Sequence, residues 1–262
     1  MEKRLSHFVL AIMICGLSTS AAEYVERTID ATYKIFNPGS TGTGILFDAP
    51  EKQLVLVTAA HCFERMKGDH CLLVLRKRND KGIFKRHDLK IAIRENGKSL
   101  WFKLKGHDVA ALRIQLSAEH RKTVNPLPLS ALCPANQVAK VLGTGDSTRQ
   151  LGYPERFESH GAGFPVVRQA CVASHPITPV DQQPTFMIDV TAFSGDSGGP
   201  IIIPSPDDAT QPTVMGIVLS KHFNEERVTV SRHEDKVIKH PLGIATILHA
   251  HYVKQAIDGA LK

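Results

Sequence analysis

SGDSGGP, from Ser194 to Pro200, decides how this chain of 262 residues is read. Acyl transfer needs a nucleophile beside backbone N–H groups that converge where a tetrahedral oxyanion develops. The glycines around Ser197 carry no Cβ to block so close an approach. The N–H groups of Gly195 and Ser197 are the expected oxyanion donors, with Asp196 helping to hold the turn. A serine hydroxyl is a weak nucleophile at neutral pH, so a base within hydrogen-bond reach has to take its proton. Of 13 histidines, His61 stands in TAAHC (Thr58 to Cys62), directly after the apolar run LVLV. That base must keep one tautomer and tolerate becoming imidazolium, which calls for a carboxylate on its far nitrogen. Asp108, in HDVAAL at the mouth of another apolar run, fits. His61, Asp108 and Ser197 are therefore the expected catalytic residues, 47 and 89 residues apart in that order. Activity is expected to fall as His61 protonates, near the ordinary imidazole value of roughly 6.5 or somewhat displaced from it.

Outward from these motifs the chain reads as sheet. Short β-like runs, LVLVTAA from Leu54, CLLVLRK from Cys71, LKIAIRE from Leu89 and DVAALRIQL from Asp108, are separated by Gly, Pro, Asn and Asp clusters. Leu89, Ile91 and Ile93 alternate with Lys90 and Arg94, which gives one buried and one wet face. After the Pro-rich NPLPLSALCP, the pattern resumes with QVAKVLGTG, PVVRQACVAS, FMIDVTA, GPIIIP, VMGIVLSKHF and RVTVSRH. Two β-rich halves thus meet near residues 123 to 135, and strands at this frequency point to barrels or sandwiches. In the tail, Ile244, Ile247, Leu248 and Tyr252 fall at helical spacing, and Gly259 is placed to end a closing helix. No appended peptide-binding module is expected after it.

The three motifs together resemble the trypsin and chymotrypsin superfamily over nearly all of the chain past its first residues. STGTGILF from Ser40 and LGYP from Leu151 look more like the bacterial glutamyl endopeptidase and HtrA-like branch than the digestive enzymes. The resemblance implies an all-β fold, two packed six-stranded antiparallel β barrels with a C-terminal α-helix. The N-terminal barrel would span 23–125 and supply His61 and Asp108; the C-terminal barrel, 126–262, would supply Ser197. It also implies that Thr191 lies at the base of the primary specificity pocket and that the strand from Met215 forms a wall. An extended peptide could then add a strand along Leu219, Ser220 and Lys221. Lys221 and His222 beside a threonine raise a preference for acidic residues, against a reading in which both point to solvent. Two features depart from the digestive relatives. No Ile-Val-Gly-Gly segment is present to pair with the Asp before the nucleophile, and Phe193 and Ser194 stand where a cysteine is expected.

The start of the chain reads as an export signal, residues 1–22, with Lys3 and Arg4 ahead of an apolar run from Phe8 to Leu17 and small residues Ser20 and Ala22 at its end. A lipoprotein signal at Cys15 is the weaker reading, because Met13 and Ile14 precede it. Losing Glu2, Lys3 and Arg4 takes the formal charge from +6 to +5. Seven of the fifteen residues from Arg76 to Lys90 are basic; few aromatics interleave with them, so a solvated hairpin is expected and no nucleic-acid function is built on it. The expected partners are polypeptide substrates, with no nucleic acid and no membrane anchor after signal removal. No metal or organic cofactor is expected. Cys62, Cys71, Cys133 and Cys171 permit two disulfides in an exported chain, with Cys62 to Cys71 favoured because they flank one short segment. Zinc is the competing reading, without paired CxxC spacing to support it.

The expected function is a secreted serine endopeptidase. Two other readings compete. GDSGG also satisfies the GxSxG elbow of α/β-hydrolase esterases, yet that elbow needs a helix after Ser197, where Pro200 and isoleucines stand. A catalytically silent homologue acting as a binding protein would keep the scaffold without the chemistry.

Overall fold

The computed structural model describes residues 22–231 and 234–262. The expected signal, apart from its last residue, lies outside the described residues, as do Arg232 and His233 of the RVTVSRH run. A helix over residues 22–31 (α1) opens the described chain. Its buried residues Tyr24, Thr28 and Ala31 lie on one face. The sequence reading contained no such helix, although Tyr24, Thr28 and Ala31 have helical spacing.

The N-terminal half holds strands β1 (Thr32–Asn37), β2 (Ser40–Ala49), β3 (Gln53–Thr58), β4 (His70–Arg78), β5 (Phe84–Ala92), β6 (Arg94–Glu95), β7 (Lys98–Ser99), β8 (Trp101–Lys103), β9 (Ala110–Ile114) and β10 (Leu127–Pro128). Eight of them form one sheet in the order β5-β4-β1-β2-β3-β9-β8, with β10 added alongside β2; β6 and β7 make a separate hairpin. Short helices α2 (Ala60–Arg65) and α3 (Ala118–Arg121) interrupt this half, and α4 (Val138–Val141) follows it. The C-terminal half is a closed barrel of β11 (Ser147–Gly152), β12 (Val166–Val172), β13 (Thr185–Asp189), β14 (Pro200–Pro204), β15 (Pro212–Ser231) and β16 (Glu234–His249), ordered β11-β12-β13-β16-β15-β14. Helix α5 (Ala250–Leu261) closes the fold. The double-barrel architecture with a C-terminal helix is thus present. Strand pairing closes it fully in the second half, whereas in the first the paired path ends at β5 and β8.

Two apolar clusters fill these halves. One joins Leu46, Leu56, Leu73 and Leu112 of the first sheet with Phe63 of α2. The other joins Leu151, Ile188, Ile201, Ile217 and Ile247 of the barrel with Val253 and Ile257 of α5 and with Ile45, Phe47, Val55, Val57 and Ala111 of the first sheet. Leu219 packs against both, and it stands on the strand that walls the cleft.

Several expectations need correction. Ile244, Ile247 and Leu248 lie in β16, paired with Asp189, Phe186 and Thr185 of β13. Helix begins only at Ala250, because β-branched residues with two sheet partners favour the extended chain. Gly259 sits inside α5 rather than ending it, and a Cβ there would come within 2.3 Å of the Phe102 ring. QVAKV forms a turn of helix, α4, instead of a strand. Arg227 to Ser231 of the RVTVSRH run continue β15, which runs unbroken from Pro212 to Ser231.

The basic run does form a hairpin, β4 with β5, but Arg76 is buried, at 6% exposure. Cys62, Cys71, Cys133 and Cys171, the cysteines among the described residues, are all free. The Cys62–Cys71 bridge is not made, because the Cys62 thiol points across to the Ser197 carbonyl at 3.7 Å. Cys71 stays in the apolar interior of the first sheet, where burial pushes its pKa up to about 12.

Candidate active site

Strand register brings His61 and Asp108 to one end of the first sheet. β3 and β9 pair antiparallel with Thr58 opposite Ala110, so residues just past the end of β3 face residues just before β9. Ala59 is extended and His61 enters the first turn of α2. The first N–H groups of a helix have no intrahelical acceptor. Asp108 supplies one, its Oδ1 accepting the His61 N–H at 2.9 Å. Its Oδ2 accepts from His61 Nδ1 at 2.6 Å. One carboxylate therefore caps the helix and fixes the ring. An ionised carboxylate only accepts, so Nδ1 carries hydrogen and Nε2 is left as the basic nitrogen.

Burial by itself would lower the His61 pKa. The Asp108 hydrogen bond, with smaller help from Cys62, outweighs it and raises the value to about 9. The displacement from the ordinary imidazole value is thus upward. For Asp108, burial opposes ionisation, but its two hydrogen bonds with His61 and the nearby Lys103 leave the pKa below the usual carboxylate value.

Ser197 sits in the loop between β13 and β14. Two glycines there take backbone that L residues rarely adopt, Gly195 at φ +100 and Gly198 at φ +85. A Cβ on Gly195 would meet the Tyr153 carbonyl at 2.2 Å, and one on Gly198 the Thr43 carbonyl at 2.2 Å. The loop is fastened on three sides. Gly198 N–H donates to Val218 O at 2.8 Å, Glu155 N–H to Ser194 O at 2.7 Å, and Asp196 N–H to Phe193 O at 3.1 Å. The first half reaches over as well, with Thr43 N–H donating to Ser197 O at 2.9 Å and Thr43 Oγ1 to Gly195 O at 2.7 Å. The Ser194 carbonyl is thus occupied by Glu155 and faces away from the Gly195 N–H. Gly198 to Pro204 continues into strand β14, which removes the helix that an esterase elbow requires.

His61, Asp108 and Ser197 line one cleft of about 630 Å³ together with Gly195, Leu219, Ser220 and Lys221. In this state the Ser197 hydroxyl donates to Leu219 O at 3.4 Å rather than to His61. Thr191 is not among the cleft-lining residues; Ala192 is. The Thr191 carbonyl instead accepts from Arg168 at 2.6 Å. His222 bonds Thr246 within the barrel, while Lys221 Nζ reaches Ser194 Oγ at 3.5 Å. Among the described residues no group of three or more His, Cys, Asp or Glu is arranged to hold a metal ion. The sequence reading missed Thr43, Arg65, Arg156 and Arg168 around this site. Arg168 had a usable signal, a lone charge inside the apolar run PVVRQACV.

A family model for trypsin matches residues 28–232. No curated protein matches the chain. Among solved structures, the inactive form of the Rv3671c protease is similar at 20% identity and TM-score 0.50, over 90% of this chain and 92% of that one. An inactive-form mutant of Rv3671c from M. tuberculosis H37Rv is similar at 19% identity and TM-score 0.50, over 90% and 89%. At these identities the likeness speaks to fold alone. The family match covers well over half of the sequence and agrees with the strand order and cleft, and on that ground the chain belongs to the trypsin family.

Proposed function

We propose that this chain is a secreted serine endopeptidase that cleaves polypeptides through an acyl-enzyme, with His61, Asp108 and Ser197 as its triad. The observation that carries the reading is the double hydrogen bond from His61 to Asp108 at the edge of a cleft that also holds Ser197. In the first step the Ser197 Oγ–carbonyl carbon bond forms while the hydroxyl proton passes to His61 Nε2. The tetrahedral oxyanion is met by the N–H groups of Gly195 and Ser197. His61 then gives the proton to the leaving nitrogen as the peptide C–N bond breaks, and water activated by the same ring splits the ester. An extended substrate pairs with the backbone along Leu219, Ser220 and Lys221. Residues 1–22 act as the export signal, 23–125 as the N-terminal barrel and 126–262 as the C-terminal barrel.

The Ser197 hydroxyl turned to Leu219 O is the one observation that favours a silent homologue. Fluorophosphonate labelling and peptide cleavage decide between them. The wild-type chain is expected to label at Ser197 and cut peptides, and Ser197→Ala to do neither while folding normally. A folded wild type inert in both assays favours the silent homologue.

A further inference from the structure

His61 and Arg65 are four residues apart in α2, so they project from one face of the helix, roughly 6 Å apart along its axis. Both line the cleft that holds Ser197. The bank beside them is the β1–β2 turn and the start of β2. It begins at the nucleophile, where Thr43 N–H reaches Ser197 O at 2.9 Å. It ends at Arg65, whose carbonyl a Cβ on Gly39 would meet at 2.9 Å. In the reaction His61 gives its proton to the leaving nitrogen, so the leaving half of a substrate runs from the His61 ring along this bank. An extended chain advances about 3.3 Å per residue. Its second residue after the cut bond therefore comes level with Arg65.

Arg156 joins it from the second half, also lining the cleft. Lys34 lies opposite Thr43 in the β1–β2 pairing, and its Nζ donates to Arg156 O at 2.7 Å, which ties the Arg156 turn to the same bank. Glu155 and Arg156 hold left-handed backbone, φ +47 and +69, a conformation that persists only where surrounding bonds impose it. Those bonds come from Lys34 and from Ser194, whose N–H donates to Glu155 Oε1 at 3.2 Å and whose carbonyl accepts from Glu155 N–H at 2.7 Å. The neighbouring carboxylates are engaged elsewhere. Glu155 is held by Ser194, Asp108 pairs with His61, Glu64 with Lys103, and Glu158 with Lys34 and Arg86. Lys221, another cation lining the cleft, is turned to Ser194 Oγ at 3.5 Å. Arg65 and Arg156 are thus two exposed cations with no carboxylate partner among the described residues, set where a substrate must pass.

We propose that Arg65 and Arg156 form an anion-reading subsite for the leaving half of the substrate, so that the preferred polypeptides carry Asp or Glu at about the second residue after the cut bond. A planar guanidinium takes a carboxylate in two parallel hydrogen bonds, and two such groups on one path select negative charge over size. The proposal rests on the peptidase reading above and names its substrate class: acidic chains, recognised beyond the bond that is cut.

The test uses the full chain and peptide pairs that differ only by Glu or Gln at the second residue after the cut, with the cut bond located by mass spectrometry. The quantity read is the Glu-to-Gln ratio of kcat/KM. An exposed guanidinium–carboxylate contact is worth roughly two- to fivefold, so the two together are expected to favour Glu by about tenfold. The ratio is expected to fall to within about twofold of unity in the double variant Arg65→Gln, Arg156→Gln, and to invert in Arg65→Glu, Arg156→Glu. Raising the salt to about 0.5 M is expected to shrink the wild-type preference by screening, a measurement that decides the matter even if a variant fails to fold. A wild type that cuts both peptides equally overturns the proposal and leaves the peptidase reading standing. So does a double Gln variant that keeps the full preference. A wild type that neither labels with a fluorophosphonate nor cuts either peptide ends both.

Discussion

At the residue scale, the heaviest consequence is the His61 pKa. With the value raised to about 9 by Asp108, the ring is mostly protonated at neutral pH and is a poor proton acceptor there. The rate of Ser197 acylation is therefore expected to rise with pH and level off above about 9, which a pH profile of fluorophosphonate labelling measures. Levelling off near the ordinary imidazole value would show that Asp108 does not hold the charged form. Asp108→Asn removes the charge and permits the wrong tautomer, so the limb is expected to move acidward while the plateau falls by about 10⁴-fold. The same pair links to stability with two signs. The raised His61 contributes stability that is present below about 6.5 and lost as pH rises through about 9. The depressed Asp108 contributes stability above its ordinary value, lost as pH falls through the lowered one.

At the scale of elements, α1 is tied to both halves through Arg76. Its guanidinium donates to the carbonyls of Ile29, Asp30 and Thr32 at the exit of α1 and to Gly163 O of the second half. The rings of Tyr33 and Phe164 flank it at 4.6 and 4.9 Å. Tyr153 OH donates to Gly163 O at 3.0 Å. Helix C-termini leave carbonyls unsatisfied and welcome a cation, so Arg76 does the work of a C-cap from a distant strand. Arg76→Met is expected to cost about 3 kcal/mol in urea unfolding, since several buried carbonyls lose a charged donor together; a loss under 1 kcal/mol would show that water replaces it. This element also marks where sequence reading ends. β3, β4, β9 and β14 were legible because continuous apolar runs bounded by turn residues have one good solution. So were His61, Asp108 and Ser197, whose neighbours are constrained by local chemistry. Arg76 was read as solvated, because nothing local distinguishes it from Lys77, which pairs with Glu119 at the surface. The segment from Ile244 was read as helix because its spacing suits either structure, and only pairing with β13 and β15 selects the strand. Contacts made by residues distant in sequence carry no local signature.

For the whole molecule, the decisive fact is that the halves flanking the cleft share one apolar cluster, in which Ile45, Phe47, Val55 and Val57 of the first pack with Ile201, Ile217 and Ile247 of the second, so burial of that cluster holds them in register. Disulfides do not do this among the described residues, since the four cysteines there are free; a strong reductant is expected to leave Tm unchanged. The join nearest the chemistry is Thr43. Its N–H and hydroxyl, from β2 of the first half, fasten Ser197 O and Gly195 O of the second, and its own carbonyl accepts from Thr58 Oγ1 at the end of the strand that delivers His61. One residue therefore connects base, nucleophile and oxyanion loop. Thr43→Val keeps the shape and the backbone bonds but leaves the buried Gly195 carbonyl short of a donor, a cost of about 1 to 3 kcal/mol. If that bond only stabilises the fold, the loss appears in Tm, and acylation by the folded fraction is unchanged. If it sets the loop against His61, kcat falls by about tenfold at temperatures where the variant is fully folded, and Thr43→Ser, which restores the hydroxyl, recovers most of it. The second outcome is the one expected, because the bond ends on the residue whose N–H must face the oxyanion.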